Sequence, residues 1–197
     1  MPDATTISEL IAQLAGSDIR AREKAAGELF RRGCAQAEPV LRNWFADAEF
    51  RKLIRSGPGL LTVGVAVEPA RFEQMHRTLG APRLADVPPD QDAREFELEF
   101  GHGVRLDILT TRDVAGGGAI ARFVARFGEG IQQVECEVRD VTRATQILRE
   151  RFSVEPLYPE TRPGANGTRV NFFLVSAPDG RKVLLELVEA IPQKQSK

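Results

Sequence analysis

Between Gly130 and Val138 the chain reads GIQQVECEV, and its residue types alternate. Val134, Cys136 and Val138 fall on one side of an extended strand, while Gln133, Glu135 and Glu137 fall on the other. A strand that gives its second face to an amide and two carboxylates either faces solvent or lines a polar cavity. The stretch AREFELEF repeats the pattern, with Glu95, Glu97 and Glu99 alternating against Phe96, Leu98 and Phe100. A second polar feature is TRPGANGTR, where Arg162 and Arg169 stand beside backbone amides freed by Gly164 and Gly167. Such a loop can hold a phosphate or a carboxylate. Asn171, two residues beyond Arg169, points the same way along a strand and can add an amide contact.

These residues sit in a chain of 197 residues, room for one medium domain with an appendage or for two small ones. Hydrophobic residues make up 42%, ample for a core, and the net charge of −1 gives no electrostatic case for nucleic acid or an anionic membrane. The start, MPDATTISEL, shows no signal peptide, and the longest apolar run, GLLTVGVAV, is too short to span a bilayer. Cys34 and Cys136 lie in different regions, which suggests reduced thiols and a cytoplasmic protein.

Two periods divide the chain near residue 57. Before it, Ile7, Leu10, Ile11 and Leu14 form a helical stripe, and GSD at 16–18 ends that helix and caps the next. The second helix carries Ala25, Ala26, Leu29 and Phe30 and is expected to end at Gly33. Pro39 suits the first turn of a third, with Val40, Leu41, Trp44 and Phe45. SGPG (56–59) then reads as a linker. With AREKAAGEL on its second helix, this segment resembles a single HEAT-like repeat. One such repeat cannot bury its own apolar face, so it must pack on the following domain or on a partner, a second copy of this chain included.

After the linker the period is two. A strand (LLTVGVAV), a helix with Phe72, Met75, His76 and Leu79, and a hairpin turning at Gly101-His102-Gly103 are followed by GAIARFVARFG, a short helix. The order then recurs: strand 131–138, helix 140–152, and a hairpin of TRVNFFLV and KVLLELVEA turning at Pro178-Asp179-Gly180. Each connection before a hairpin has room for one more short strand. Thr62 and Gln133 hold matching positions, an offset of 133 − 62 = 71 residues. An internal duplication is the simplest account.

A duplicated βαβββ unit resembles the vicinal oxygen chelate superfamily, which includes glyoxalase I, bleomycin-resistance proteins, ring-cleaving dioxygenases and methylmalonyl-CoA epimerase. IARFVARFGEGIQQVECEV, RPGANGTRVNFFLV and KVLLELVE are similar to the epimerase branch. The resemblance spans residues 60–190 and implies an α+β fold, two tandem βαβββ modules (58–112 and 128–192) forming a curved mixed sheet around a cleft. The N-terminal α-helical segment (1–57) precedes it, and 193–197 are a tail.

The resemblance also implies a divalent metal held by inward residues of four strands, which fall here on Thr62, Asp107, Gln133 and Glu186. Epimerases have His at the first and third of these positions. The chain's only histidines, His76 and His102, lie on a helix and in a turn. A hydroxyl, an amide and two carboxylates form an all-oxygen set, suited at most to a weakly bound Mg²⁺, Mn²⁺ or Ca²⁺. With Glu95, Glu97, Glu99, Glu135 and Glu137 facing the same cleft, the cleft is acidic and calls for a cation, a basic side chain, a cationic ligand or open water. Two functions follow: a member with a degenerate metal site that binds a small molecule, Arg162, Arg169, Asn171 and Glu135 contacting it, or a divalent-metal-dependent isomerase or epimerase acting alpha to an acyl-CoA carbonyl. In the second, Glu186 and Glu95 are the catalytic acid–base pair, Glu95 by its position after Gln91 in QDARE.

Overall fold

The computed structural model describes residues 5–55, 60–178 and 180–190, so the linker at 56–59, the turn residue Asp179 and the tail lie outside the described residues. Helix α1 (Ile7–Leu14) opens with a capping box. The Thr6 hydroxyl accepts the Glu9 amide at 3.2 Å, and the Glu9 carboxylate accepts the Thr6 amide at 2.7 Å. Asp18 caps α2 (Ile19–Ala46), and Asp47 caps the short α3 (Ala48–Leu53).

The expected break between Gly33 and Pro39 does not occur: α2 runs unbroken for 28 residues. Gly33 is a packing glycine, because a Cβ there would stand 2.5 Å from Val63 Cγ1. Pro39 removes one helical hydrogen bond, a cost of about 3 kcal/mol. That cost is offset by burying Leu41 and Trp44 beyond it, on the same stripe as Ala25, Leu29, Gly33 and Ala37. Trp44 meets Phe173 edge-on at 6.0 Å and Phe50 at 5.8 Å. The helical residues Leu10, Leu14, Leu29 and Trp44 thus share one hydrophobic core with the sheet.

The sheet holds β1 (Leu61–Ala66), β2 (Arg94–Phe100), β3 (Val104–Thr110), β4 (Gly130–Glu137), β5 (Arg162–Pro163), β6 (Arg169–Ser176) and β7 (Lys182–Glu189). Their order is β2-β3-β1-β4-β7-β6-β5, a curled mixed half-barrel. The two modules meet at the antiparallel pair β1–β4, and each continues outward through a parallel pair, β1–β3 or β4–β7. The extra short strand is β5 in the second module. In the first, the matching connection carries Pro82, Pro88 and Pro89, which lack the donors a ladder needs. One backbone bond, Ala85 N to Glu95 O at 2.9 Å, ties it to β2.

Helices α2, α4 (Pro69–Thr78) and α6 (Val141–Phe152) pack on the face that carries Val63, Phe96, Leu106, Cys136, Phe173 and Leu185. The opposite face lines a cavity. Helix α5 (Ala119–Phe127) closes one end of it, with Ile120 packed on Ala66 and Leu109. Both cysteines are free, and no described helix is long and apolar enough to cross a membrane.

Candidate functional site

Because alternate residues of a strand share a face, register alone sets out rows of side chains across the cavity floor. One row runs Glu97 (β2), Asp107 (β3), Gly64 (β1), Gln133 (β4). The next runs Thr62 (β1), Glu135 (β4), Glu186 (β7), Phe172 (β6). Glu95 lies on the Leu109 row. All of these except Gly64 line one cavity of about 680 Å³. Gly64 has a steric role: a Cβ there would stand 2.6 Å from Gln133 Cγ, so only glycine lets the Gln133 side chain lie across β1.

Gln133 is the donor of the floor. Its Nε2 gives hydrogen bonds to Glu186 Oε2 at 2.6 Å and to Glu135 Oε1 at 3.3 Å. Asp107, which is 7% exposed, accepts no hydrogen bond among the described residues. Burial is the first cause of every perturbed carboxyl here. With Glu97 adding to it, burial pushes Glu95 up to about 7. Burial and then Glu95 push Glu135 up to about 8, against the pull of the Gln133 hydrogen bond. Asp107 and Glu186 are driven well above the carboxylate range, by burial first and by the neighbouring acids second.

The rim holds the basic residues, Arg83 exposed among them, and most are paired. Arg105 bonds Glu97 at 2.6 Å, and Arg55 outside the cavity holds Glu137 at 2.6 Å. Arg162 pairs with Asp90 and lies over the Tyr158 ring, 4.4 Å from its centroid. Around that pair a strap joins the two outer edges of the half-barrel. Gln91 Nε2 donates to Pro163 O at 2.7 Å, and Asp86 and Asn166 exchange two hydrogen bonds at 3.0 and 2.9 Å. Asn166 occupies the left-handed region at φ 54°, as its Asn-Gly context allows.

The structure thus brings Thr62, Glu95, Asp107, Gln133, Glu135, Glu186 and Arg162 to one cavity. Arg169 and Asn171 are elsewhere, which corrects their placement beside a cleft ligand. Asn171 pairs in register with the core residue Leu187 and Arg169 with Glu189, so both face the helices. Arg169 donates to Thr142 Oγ1 at 2.8 Å, and Asn171 Nδ2 to Tyr158 O at 3.4 Å. Glu99 is exposed and lies outside the cavity. Two contributors escaped the sequence reading, the strap and Gln132. Opposite Gly64 and Val65 the β1–β4 register shifts, leaving Gln132 as the extra residue of a bulge on the cavity wall. The signals were a Gln-Gln doublet that interrupts the alternation and a glycine inside a strand.

The donor set departs from two imidazoles and two oxygens. His76 Nε2 is engaged 2.8 Å from Pro82 O, its ring stacked on Phe72, and His102 is exposed in its turn. Among the described residues no three His, Cys, Asp or Glu side chains are grouped to hold a metal ion. Gln133 turns its amide nitrogen to Glu186, where coordination of a shared cation would need its oxygen. The residues present do not fit the two-imidazole centre.

A curled sheet of two repeated modules with inward polar residues on its central strands defines a class, the vicinal oxygen chelate fold. No family model matches the chain, and no curated protein does. Among solved structures, a methylmalonyl-CoA epimerase from Mycobacterium tuberculosis is 30% identical with a TM-score of 0.55, the match covering 71% of this chain and 95% of that one. A hypothetical protein from Bacillus halodurans is 25% identical with a TM-score of 0.55, covering 68% of this chain and 95% of that one. A methylmalonyl-CoA epimerase variant from Streptomyces coelicolor, in complex with 2-nitronate-propionyl-CoA, shares the fold at 23% identity and a TM-score of 0.54, covering 71% of this chain and 96% of that one. The chain belongs to the vicinal oxygen chelate superfamily, with the epimerase-like form of its fold.

Proposed function

We propose that this protein binds a small molecule in the sheet cavity and that its metal site is degenerate. The observation that carries this is the floor itself. The four positions that would hold a metal are Thr62, Asp107, Gln133 and Glu186, with no imidazole among them and with an amide N–H bonded to Glu186. The cavity volume lies in the range of small-molecule sites. The expected result is no stoichiometric zinc or cobalt in protein purified without chelators. One transition metal per chain by elemental analysis would sink the reading. The double change Thr62→His and Gln133→His is expected to create Co²⁺ or Zn²⁺ affinity, because it puts imidazoles at two of the four inward positions.

A second reading, a divalent-metal-dependent isomerase or epimerase acting alpha to an acyl-CoA carbonyl, is favoured by one observation. Glu95 and Glu186 line the same cavity, and burial brings Glu95 to about 7, so near neutral pH one carboxyl can accept a proton while the other holds one. Deuterium incorporation into methylmalonyl-CoA in heavy water separates the two. No exchange is expected, with or without added Mg²⁺, Mn²⁺ or Co²⁺. Exchange that disappears in Glu186→Gln promotes the second reading.

A further inference from the structure

The cavity's polar and apolar parts differ in what they lack. Asp107 is more than nine-tenths buried, faces the cavity and accepts no hydrogen bond among the described residues. Independently, the side-chain oxygen of Gln132 on the same wall is buried with no donor. The Gln132 oxygen and the ionised form of Asp107, which a bound cation favours, are acceptors that call for N–H or O–H groups. They share the floor with Glu95, Glu135 and Glu186, and Gln133 gives hydrogen bonds to the last two. Three of the four arginines that line the cavity are engaged, Arg105 with Glu97, Arg162 with Asp90 and Arg122 with the Gly117 carbonyl, and the fourth, Arg83, is exposed at the rim. Above the acids the walls are apolar, built by Leu109, Ile120, Leu157, Phe172 and Leu184.

From this geometry we infer the class of the ligand: an organic cation bearing N–H groups, a primary or secondary ammonium or a guanidinium, carried on an apolar body. The inference rests on the ligand-binding function proposed above and names what that site takes. An anionic head group seated on the floor would face the carboxyl groups of Glu95, Asp107, Glu135 and Glu186, with the arginines out at the rim. A quaternary ammonium has no hydrogen to give Asp107 and needs a cage of aromatic faces. Here the aromatic side chains of the cavity are Tyr158 and Phe172, and the Tyr158 face is covered by Arg162. The cationic head belongs between Asp107 and Glu135, on neighbouring rows of the floor, with the apolar body against Leu109 and Phe172.

The test is a matched set of probes, phenylbutylamine, phenylbutanol and phenylbutyrate, titrated into the full chain by NMR with the Gln133 side-chain amide as local reporter. The amine is expected to bind about tenfold or more tightly than the alcohol, as charged hydrogen bonds outweigh neutral ones. The acid is expected not to bind. Asp107→Asn should bring the amine down to the level of the alcohol and leave the alcohol unchanged. Glu95→Gln should weaken the amine by a smaller factor, which keeps the test decisive if one variant folds poorly. Equal binding of amine and alcohol, or an amine indifferent to Asp107→Asn, overturns the inference. Silence of all three overturns it too. Binding of propionyl-CoA in that case would leave the ligand-binding function standing, so the two can fail separately.

Discussion

The two modules hold matching positions of the frame in the same register and stitch their inner acids differently. In the second, Gln133, Glu135 and Glu186 form a unit: Glu135 is in register with Glu186 across the parallel pair β4–β7, and Gln133, two residues before Glu135, reaches over to bond Glu186. In the first, the equivalent residues are Thr62, Gly64 and Asp107, with Gly64 in register with Asp107 across β1–β3. The offset holds for both members of the inner strand, 133 − 62 = 71 and 135 − 64 = 71. One module therefore gives its acid an amide, and the other gives its acid a short hydroxyl and a glycine. The lesson is that the duplicated backbone sets where polar groups project, while side-chain length decides which of them is left to meet a ligand. Gly64 ties the two together, because the space it leaves is filled by Gln133.

The largest effect is expected where the modules are bound to each other. Helix α2 packs on β1 and β3 of the first and on β4 and β7 of the second. Trp44, fully buried between Phe50 and Phe173, anchors its C-terminal half. Trp44→Ala should cost about 3–5 kcal/mol. Urea unfolding followed by circular dichroism should show one transition shifted as a whole. Two separate transitions would mean that the modules are independent and that α2 serves only one of them.

Next in size is the amide of the second module. Gln133→Leu takes from buried Glu186 its side-chain donor among the described residues, at a cost of about 1–3 kcal/mol. The same change at Thr62 should cost far less, because Thr62 makes no hydrogen bond among the described residues. Equal losses at the two positions, measured by urea midpoint at constant slope, would erase the asymmetry.

Stability should also fall as pH rises. The folded-state values of Glu95 and Glu135 are raised from 4.5 to about 7 and about 8. Between the unfolded and folded values the folded chain holds more protons than the unfolded one, so each step up in pH favours unfolding. The folded state is at full strength below about 4.5 with respect to these two groups, and their contribution is lost progressively up to about 8. The slope of melting temperature against pH across this window should flatten in Glu95→Gln and in Glu135→Gln. An unchanged slope in both would place the titration elsewhere.

The sequence showed these rows because β2, and β4 from Gln133 onward, alternate cleanly, Glu against Phe or Leu in one and Gln or Glu against Val or Cys in the other. Strand β6 gives no such signal. Val170, Phe172 and Leu174 occupy one face and Phe173 and Val175 the other, so both faces are apolar and period two cannot tell cavity from core. Alternation alone therefore does not reveal that Asn171 and Arg169 face the helices. The continuity of α2 was hidden for a different reason. Gly33 and Pro39 are local stop and start signals, and the burial of Leu41 and Trp44 that overrides them comes from residues far along the chain. The strap between Asp86–Gln91 and Arg162–Asn166 joins positions more than seventy residues apart, with no periodicity to announce it.

The smallest and most pointed expectation is a transplant. Thr62→Gln gives the first module the amide that Gln133 supplies in the second, at the matching register position two residues before the in-register partner of the acid. Gly64 leaves room beside Asp107, although Gln133 already fills part of that space, so the new side chain must share it. A hydrogen bond to Asp107 would favour its ionised form and pull its titration back down toward the carboxylate range. The net gain in stability at neutral pH should be about 1 kcal/mol or less after the entropy of ordering a longer side chain. The titration of the Asp107 carboxyl carbon by NMR is the direct measurement, and it should move down while that of Glu186 stays put. The amine probe should weaken in the same variant, since its acceptor is now occupied. A variant that stabilises the fold yet binds the amine unchanged would separate the asymmetry of the modules from ligand choice, and Asp107 would then be an acid the fold merely tolerates.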